Sequence, residues 1–205
     1  IEFPDLSHNI RCGNSLLAPR DFNPLCPHDR ALWERHPPVD FEAMLAAGGA
    51  PGFDLVIGNP PYGLSRDQGI DPDENRKLRA VYQAQRTGKI NKYLAFMALG
   101  YRLLAPQGVL SFIVPNAWLG IRAGAALRRL FVKERALRRI TIFERRVFKG
   151  LGVETVVFIA QKEGRHASIE IRHAERGAGR ADGFRVPAAV CLARPDCTIP
   201  TLWSE

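Results

Sequence analysis

Apolar positions along the chain alternate between short continuous runs and stretches with helical spacing. Phe53-Asp54-Leu55-Val56-Ile57 is a near-continuous run stopping at Gly58, the pattern of a buried parallel strand covered on both faces. Leu94, Met97, Ala98, Tyr101 and Leu104 recur at three-and-four spacing and predict a helix over Lys92 to Leu104, stopped by Pro106-Gln107-Gly108. Val109 to Val114 reads as the next strand, Ala123 to Glu134 as a second helix, Arg139 to Phe143 as a third strand and Thr155 to Gln161 as a fourth. The Gly-bearing link Lys149-Gly150-Leu151-Gly152 predicts that the last two pair antiparallel as a hairpin. Ser168 to Arg172 supplies one more strand, and the Gly/Ala/Arg-rich sequence beyond it gives no assignment.

The order strand, helix, strand, helix, strand, strand outlines half of a doubly wound fold. The expectation is an α/β protein with an open, mostly parallel sheet and an antiparallel edge hairpin. Two regions stand outside it. Ala18 to Pro51 is rich in Pro and Gly, and Leu64 to Lys89 is polar and carries Asp67, Asp71, Asp73 and Glu74. The second follows a strand end, where such sheets bind ligands, and is expected to be a mobile loop.

Composition changes this picture little. With 46% hydrophobic and 24% charged residues in 205, the chain has the makings of an ordinary globular core, and its apolar runs fall short of the roughly 20 residues that span a bilayer. Cys12, Cys26, Cys191 and Cys197 lack CxxC spacing, which predicts a reducing, cytoplasmic setting. Cys26, His28 and His36 lack a fourth ligand and sit among prolines, so no metal site is expected.

Charge adds more. Residues 121 to 150 hold ten basic side chains against two acidic ones, a surplus equal to the chain's whole net charge of +8. Arg122, Arg128, Arg129, Lys133, Arg145, Arg146 and Lys149 are therefore candidates for contact with phosphates, with a solvated helix face as the alternative.

The chemistry concentrates in Gly58-Asn59-Pro60-Pro61-Tyr62-Gly63, at the carboxyl end of the first strand. Two consecutive prolines fix the backbone and donate no N–H, so the Asn59 and Pro60 carbonyls are held rigid and free to accept. Asn59 adds a side-chain carbonyl. Acceptors aimed at the hydrogens of an amine conjugated to a ring favour a pyramidal nitrogen with an available lone pair. Tyr62 offers a face on which that ring can stack. The motif reads as a site for an amino group on a planar heterocycle.

Asp54 to Gly63 resembles the catalytic motif of adenine-N6 DNA methyltransferases, above all the branch found in Type IIG restriction-modification enzymes and related phage-defence methylases. Asn9 to Leu17 is similar to the segment whose Asp or Asn accepts from the adenine amine of S-adenosylmethionine, and Asn14 holds the matching position. Thr87 to Tyr93 with Phe96, Gly108 to Leu119, and Val147 to Lys162 resemble the segments that follow, with Asn91-Lys92-Tyr93 departing from the usual Asp-Leu-Tyr core. The likeness covers roughly residues 5 to 162.

The resemblance implies methyl transfer from S-adenosylmethionine to the exocyclic amine of a base-flipped adenine in double-stranded DNA. Asn59, Pro60, Pro61 and Tyr62 would be catalytic, Tyr62 and Phe148 would stack on the base, and Asn14, Ser15, Asn59 and Pro61 would meet the cofactor. It also favours a phosphate role for at least part of the basic patch. Residues 1–165 would form the catalytic half, and 166–205 an extension leading toward a target-recognition region. The family's glycine-rich cofactor motif should precede Asn9, so the expectation is a fragment whose missing N-terminal half comes from the same or a separate chain. A methyltransferase for a release-factor glutamine or a ribosomal RNA guanine ranks second, because the Cys12 to Leu17 segment and the Phe148 hairpin fit the DNA family better. A non-catalytic nucleic-acid-binding or partner-completing module is the third reading.

Overall fold

The computed structural model describes residues 9–62, 71–82, 91–143, 147, 152–174 and 182–202. Six strands form one mixed sheet: β1 (Phe53–Gly58), β2 (Leu104–Pro115), β3 (Leu137–Phe143), β4 (Thr155–Gln161), β5 (Ser168–Ala174) and β6 (Asp182–Pro187), in the spatial order β1-β2-β4-β3-β5-β6. The pairs β1–β2 and β3–β5 are parallel, while β2–β4, β3–β4 and β5–β6 are antiparallel. Four strands, β1, β2, β3 and β5, thus run one way, and β4 and β6 run against them. The fold is α/β with a majority direction, as the pattern of runs implied.

Two placements differ from the sequence reading. The β3–β4 hairpin is antiparallel but not at an edge, since β4 lies between β2 and β3. Its run is apolar on both faces, and Val156, Phe158 and Ala160 are fully buried, which a strand with two neighbours satisfies. Conversely β1 is an edge strand. Val56 packs into the main core, whereas Leu55 and Ile57 are 59% and 75% exposed, so the strand is not covered on both faces.

Among the described residues there are six α-helices: α1 (Pro27–Arg35), α2 (Phe41–Ala47), α3 (Pro72–Val81), α4 (Lys92–Arg102), α5 (Ala125–Lys133) and α6 (Ala188–Ala193). The α4 residues Tyr93, Leu94, Met97 and Tyr101 and the α5 residues Leu127, Phe131 and Val132 share one core with Leu110, Phe112, Val114, Ile140 and Phe158 of the sheet. Fully burying a side chain of this size contributes about 1.5–3 kcal/mol. Trp118, Phe131 and Phe158 form its aromatic centre, with ring centroids 5.4 to 6.4 Å apart. Helix and sheet meet closely at Gly100, where a Cβ would stand 2.9 Å from Leu110 Cδ1, so the bare backbone lets α4 settle on β2.

A second core joins the far side of α4 to the region that looked irregular. Leu16, Leu17, Leu32, Leu78 and Tyr82 pack on Ala95, Leu99 and Leu103. Within 18–51 lie α1 and α2, and the expected loop 64–89 contains α3. Its start carries ordinary signals: Pro72 in the first turn, Asp73 and Glu74 beside it, and Asp71 capping the Asp73 N–H at 2.8 Å.

Candidate active site

Strand β1 ends at Gly58, and the chain leaves it as Asn59-Pro60-Pro61-Tyr62. Asn59 and Pro61 are exposed, Pro60 is buried and Tyr62 is half-buried. Strand β2 runs parallel beside it, with Gly58 paired to Phe112, and ends at Pro115 before a 3-10 turn over Asn116–Leu119. The carboxyl ends of both strands therefore frame one place. A cavity of about 490 Å³ opens there, within the range of about 300–1,000 Å³ usual for small-molecule sites. Tyr62, Asn91, Tyr93, Asn116, Ile121 and Glu154 contribute to its lining.

Tyr62 buries its hydroxyl oxygen without a hydrogen-bond partner among the described residues, and burial pushes its phenol above the ordinary value. Trp118 Nε1 and Thr155 Oγ1 are in the same condition. Each belongs to or adjoins a lining segment, since Trp118 follows Asn116-Ala117 and Thr155 follows Glu154. Buried polar atoms are almost always paired, because an unmet one costs about 1–3 kcal/mol. Of the three, Tyr62 lines the cavity itself, and there stability is given up.

Asn59, Pro60 and Pro61 are not among the lining residues, and the wall formed by Pro115, Asn116 and Glu154 is fixed by strand pairing. Pro115 pairs with Thr155 across β2 and β4, and one step further Asn116 N–H donates to Glu154 O at 2.9 Å. Asn116 Nδ2 donates to Glu154 Oε2 at 2.7 Å. Neither residue was singled out for chemistry from the sequence. Their positions just beyond strand ends are the signal that could have found them.

Asn14 lies elsewhere in the fold's hydrogen-bond plan. Its Oδ1 accepts from Leu16 N–H at 2.9 Å and Leu17 N–H at 3.2 Å, and its Nδ2 donates to Glu74 Oε1 at 2.9 Å. The acceptor expected to meet a cofactor amine is thus engaged within a turn. Glu74 also pairs with Lys92 Nζ at 3.1 Å, so α3 ties the Asn14 turn to the start of α4. Ser15 beside it is half-buried.

The basic patch divides. Arg122, Arg129 and Lys133 are exposed. Arg128 is not a phosphate ligand: it is fully buried, donating to the carbonyls of Trp118, Ile121, Asp196 and Cys197. Burial pulls its pKa below the ordinary guanidinium value. Arg145, Arg146, Phe148 and Lys149 lie outside the described residues. Among the described residues no helix is long and apolar enough to cross a membrane.

A family model described as Eco57I restriction-modification methylase matches residues 1–148. Among curated proteins, the chain is 34% identical over 117 residues to the Type II methyltransferase M.TthHB8I of Thermus thermophilus, which is 55% of this chain and 27% of that protein. It is 27% identical over 172 residues to the Type II restriction enzyme and methyltransferase RM.Eco57I of Escherichia coli, covering 78% of this chain and 15% of that one. The chain thus spans about a quarter or less of these relatives' lengths. Among solved structures, the type IIG restriction endonuclease BpuSI matches with a TM-score of 0.46 and 24% identity, over 59% of this chain and 15% of that one. The M protein of the type I restriction enzyme EcoKI matches with a TM-score of 0.45 and 20% identity, over 66% and 28%.

Proposed function

The chain belongs to the Eco57I restriction-modification methylase family, and from that premise we propose that it carries the base-capturing half of a site that methylates the exocyclic amine of adenine in duplex DNA. The observation that supports this best is the rigid Asn59-Pro60-Pro61-Tyr62 loop at a strand's carboxyl end, beside a cavity lined by Tyr62.

The amine is paired inside a duplex, so the adenine must leave the stack at a cost of a few kcal/mol. Stacking on Tyr62 offsets part of that, at about 1–3 kcal/mol per base, and Phe148 would take the other face. The Asn59 side-chain carbonyl and the Pro60 backbone carbonyl accept the two amine hydrogens. As nitrogen shifts from planar to tetrahedral those bonds strengthen, and the positive charge developing on it is stabilised by groups that need not move. No strong base is required, since the charged amine loses its proton readily afterwards. Rate comes mainly from holding the nitrogen in line with the group it attacks.

S-adenosylmethionine would supply that group, a methyl on a sulfonium. Asn59 and Pro61, both exposed, fit contact with it. Asn14, its acceptor spent on Leu16 and Leu17, would instead shape the turn that presents Ser15. Arg122, Arg129 and Lys133 would hold backbone phosphates.

Asn59→Ala in the full-length protein is expected to cut methyl transfer to duplex DNA by at least a hundredfold, the scale of losing one preorganised acceptor, with DNA affinity unchanged. Transfer is read with labelled cofactor on DNA, RNA and a glutamine peptide. Turnover within a few fold of the parent, or methylation of RNA or peptide in preference to DNA, would overturn the reading.

A further inference from the structure

We propose that Asn116 reads the captured base, donating an amide N–H to the ring nitrogen beside the amine on its pairing edge, and that Glu154 is the positioning residue that holds the amide for this. The inference rests on the adenine reading above and adds to it a specificity-determining residue.

Asn116 opens the 3-10 turn at the end of β2, half-buried, and lines the same cavity as Tyr62. Two bonds to one residue fix it: its N–H donates to Glu154 O at 2.9 Å and its Nδ2 donates to Glu154 Oε2 at 2.7 Å. A carboxylate only accepts, so it dictates which end of the amide faces it. The nitrogen turns toward Glu154, and Oδ1 turns away. An amide nitrogen carries two hydrogens, and Glu154 takes one. The other, like Oδ1, has no partner among the described residues.

A fixed N–H in a base-sized cavity selects by ring nitrogen. In adenine N1 accepts; in guanine the same atom carries hydrogen, and two donors would face each other. Asn59 and Pro60 already account for both amine hydrogens, so the complementary position left on that edge is N1. The paired strands give the arrangement stiffness, because Asn116 and Glu154 sit one step beyond Pro115 and Thr155 in the β2–β4 ladder.

The test is methylation kinetics of the full-length protein on a duplex carrying either adenine or 1-deazaadenine at the target, the latter lacking the acceptor. The parent is expected to lose about ten- to a hundredfold in kcat/KM on the deaza base. Asn116→Ala is expected to lose as much on adenine and nothing further on the deaza base. Glu154→Ala should reproduce that pattern in part, with rescue by Glu154→Gln, whose carbonyl still accepts from Nδ2. A parent indifferent to the deaza base, or an equal deaza penalty in the parent and Asn116→Ala, would overturn the proposal. The parent arm alters no residue, so it stands even where a variant fails to fold. Failure of the adenine reading looks different, because the parent then methylates neither duplex.

Discussion

Replacing Arg128 with alanine would take a donor from four carbonyl oxygens, those of Trp118 and Ile121 on one side and of Asp196 and Cys197 on the other, of which Ile121 O keeps the Gly124 N–H at 3.1 Å. Asp196 and Cys197 both hold φ at 53°, a left-handed pair that non-glycine residues seldom adopt and that the guanidinium pins in place. Removing it is expected to cost about 3 kcal/mol, read as a lower Tm, with Arg128→Lys recovering only part because one ammonium cannot span four acceptors. A loss under about 0.5 kcal/mol, the size of an ordinary surface substitution, would show that the carbonyls have other donors. The residue's role was half legible. Charge counting put it in the basic patch, yet its spacing from Phe131 and Val132 places it on the buried stripe of α5, alongside Leu127. The placement of Asn59 and Tyr62 just past the end of β1 was legible, because an apolar run followed by two prolines marks a strand end. The Asn116–Glu154 pair was not, since it joins residues distant in the chain.

Helix α3 carries several ion pairs to its neighbours. Arg35 Nε donates to Asp71 Oδ2 at 2.9 Å, Lys77 pairs with Asp29, and Glu74 bridges Asn14 and Lys92. Leu78 and Tyr82 supply its buried contact, with the Tyr82 hydroxyl donating to Leu16 O at 2.9 Å. Burial alone would raise the carboxyl of Asp71, but the Arg35 guanidinium and two backbone N–H groups outweigh it and hold it below the ordinary range. Asp29 is likewise lowered, burial being outweighed by the Asn23 N–H and Lys77. Because these folded-state values lie below the unfolded ones, the stability they contribute is complete above pH of about 4 and is lost as pH falls through the depressed values. Hydrogen exchange is therefore expected to show residues 71–82 loosening in acid before β2 and β4, with Asp71→Asn already loosened at neutral pH and less sensitive to acid. Equal protection of α3 at pH 3 and pH 7 would contradict this. Sequence polarity hid α3 because its buried stripe is short, although Asp71-Pro72-Asp73-Glu74 carries the start of a helix. Apolar runs likewise announced β1 and β4 as strands, but a run cannot say which one ends at an edge.

On the scale of the whole molecule, net charge becomes a question of where the cations face. With Arg128 inside and Arg139 paired to Glu170 at 2.7 Å, the exposed cations of this region among the described residues are Arg122, Arg129, Lys133, Arg135 and Arg138. Arg122 follows Ile121, which lines the cavity. Arg129→Glu in the full-length protein is expected to flatten the dependence of DNA affinity on salt by about one unit of logarithmic slope, measured by titration at several salt concentrations; an unchanged slope would return Arg129 to a solvated helix face.

The order of strands in space also governs the order of events during synthesis. Strand β4 leaves the ribosome after both of the strands it separates, so the nascent chain must keep β2 and β3 apart, with Val109 to Val114 lacking one neighbour, until residues 155–161 emerge at about 5–20 residues per second. Insertion of β4 is then a late act, with β5 and β6 following it in the chain. It joins β2, beside the proline loop's strand, to β3, and translation halted short of Thr155 would leave the two unjoined.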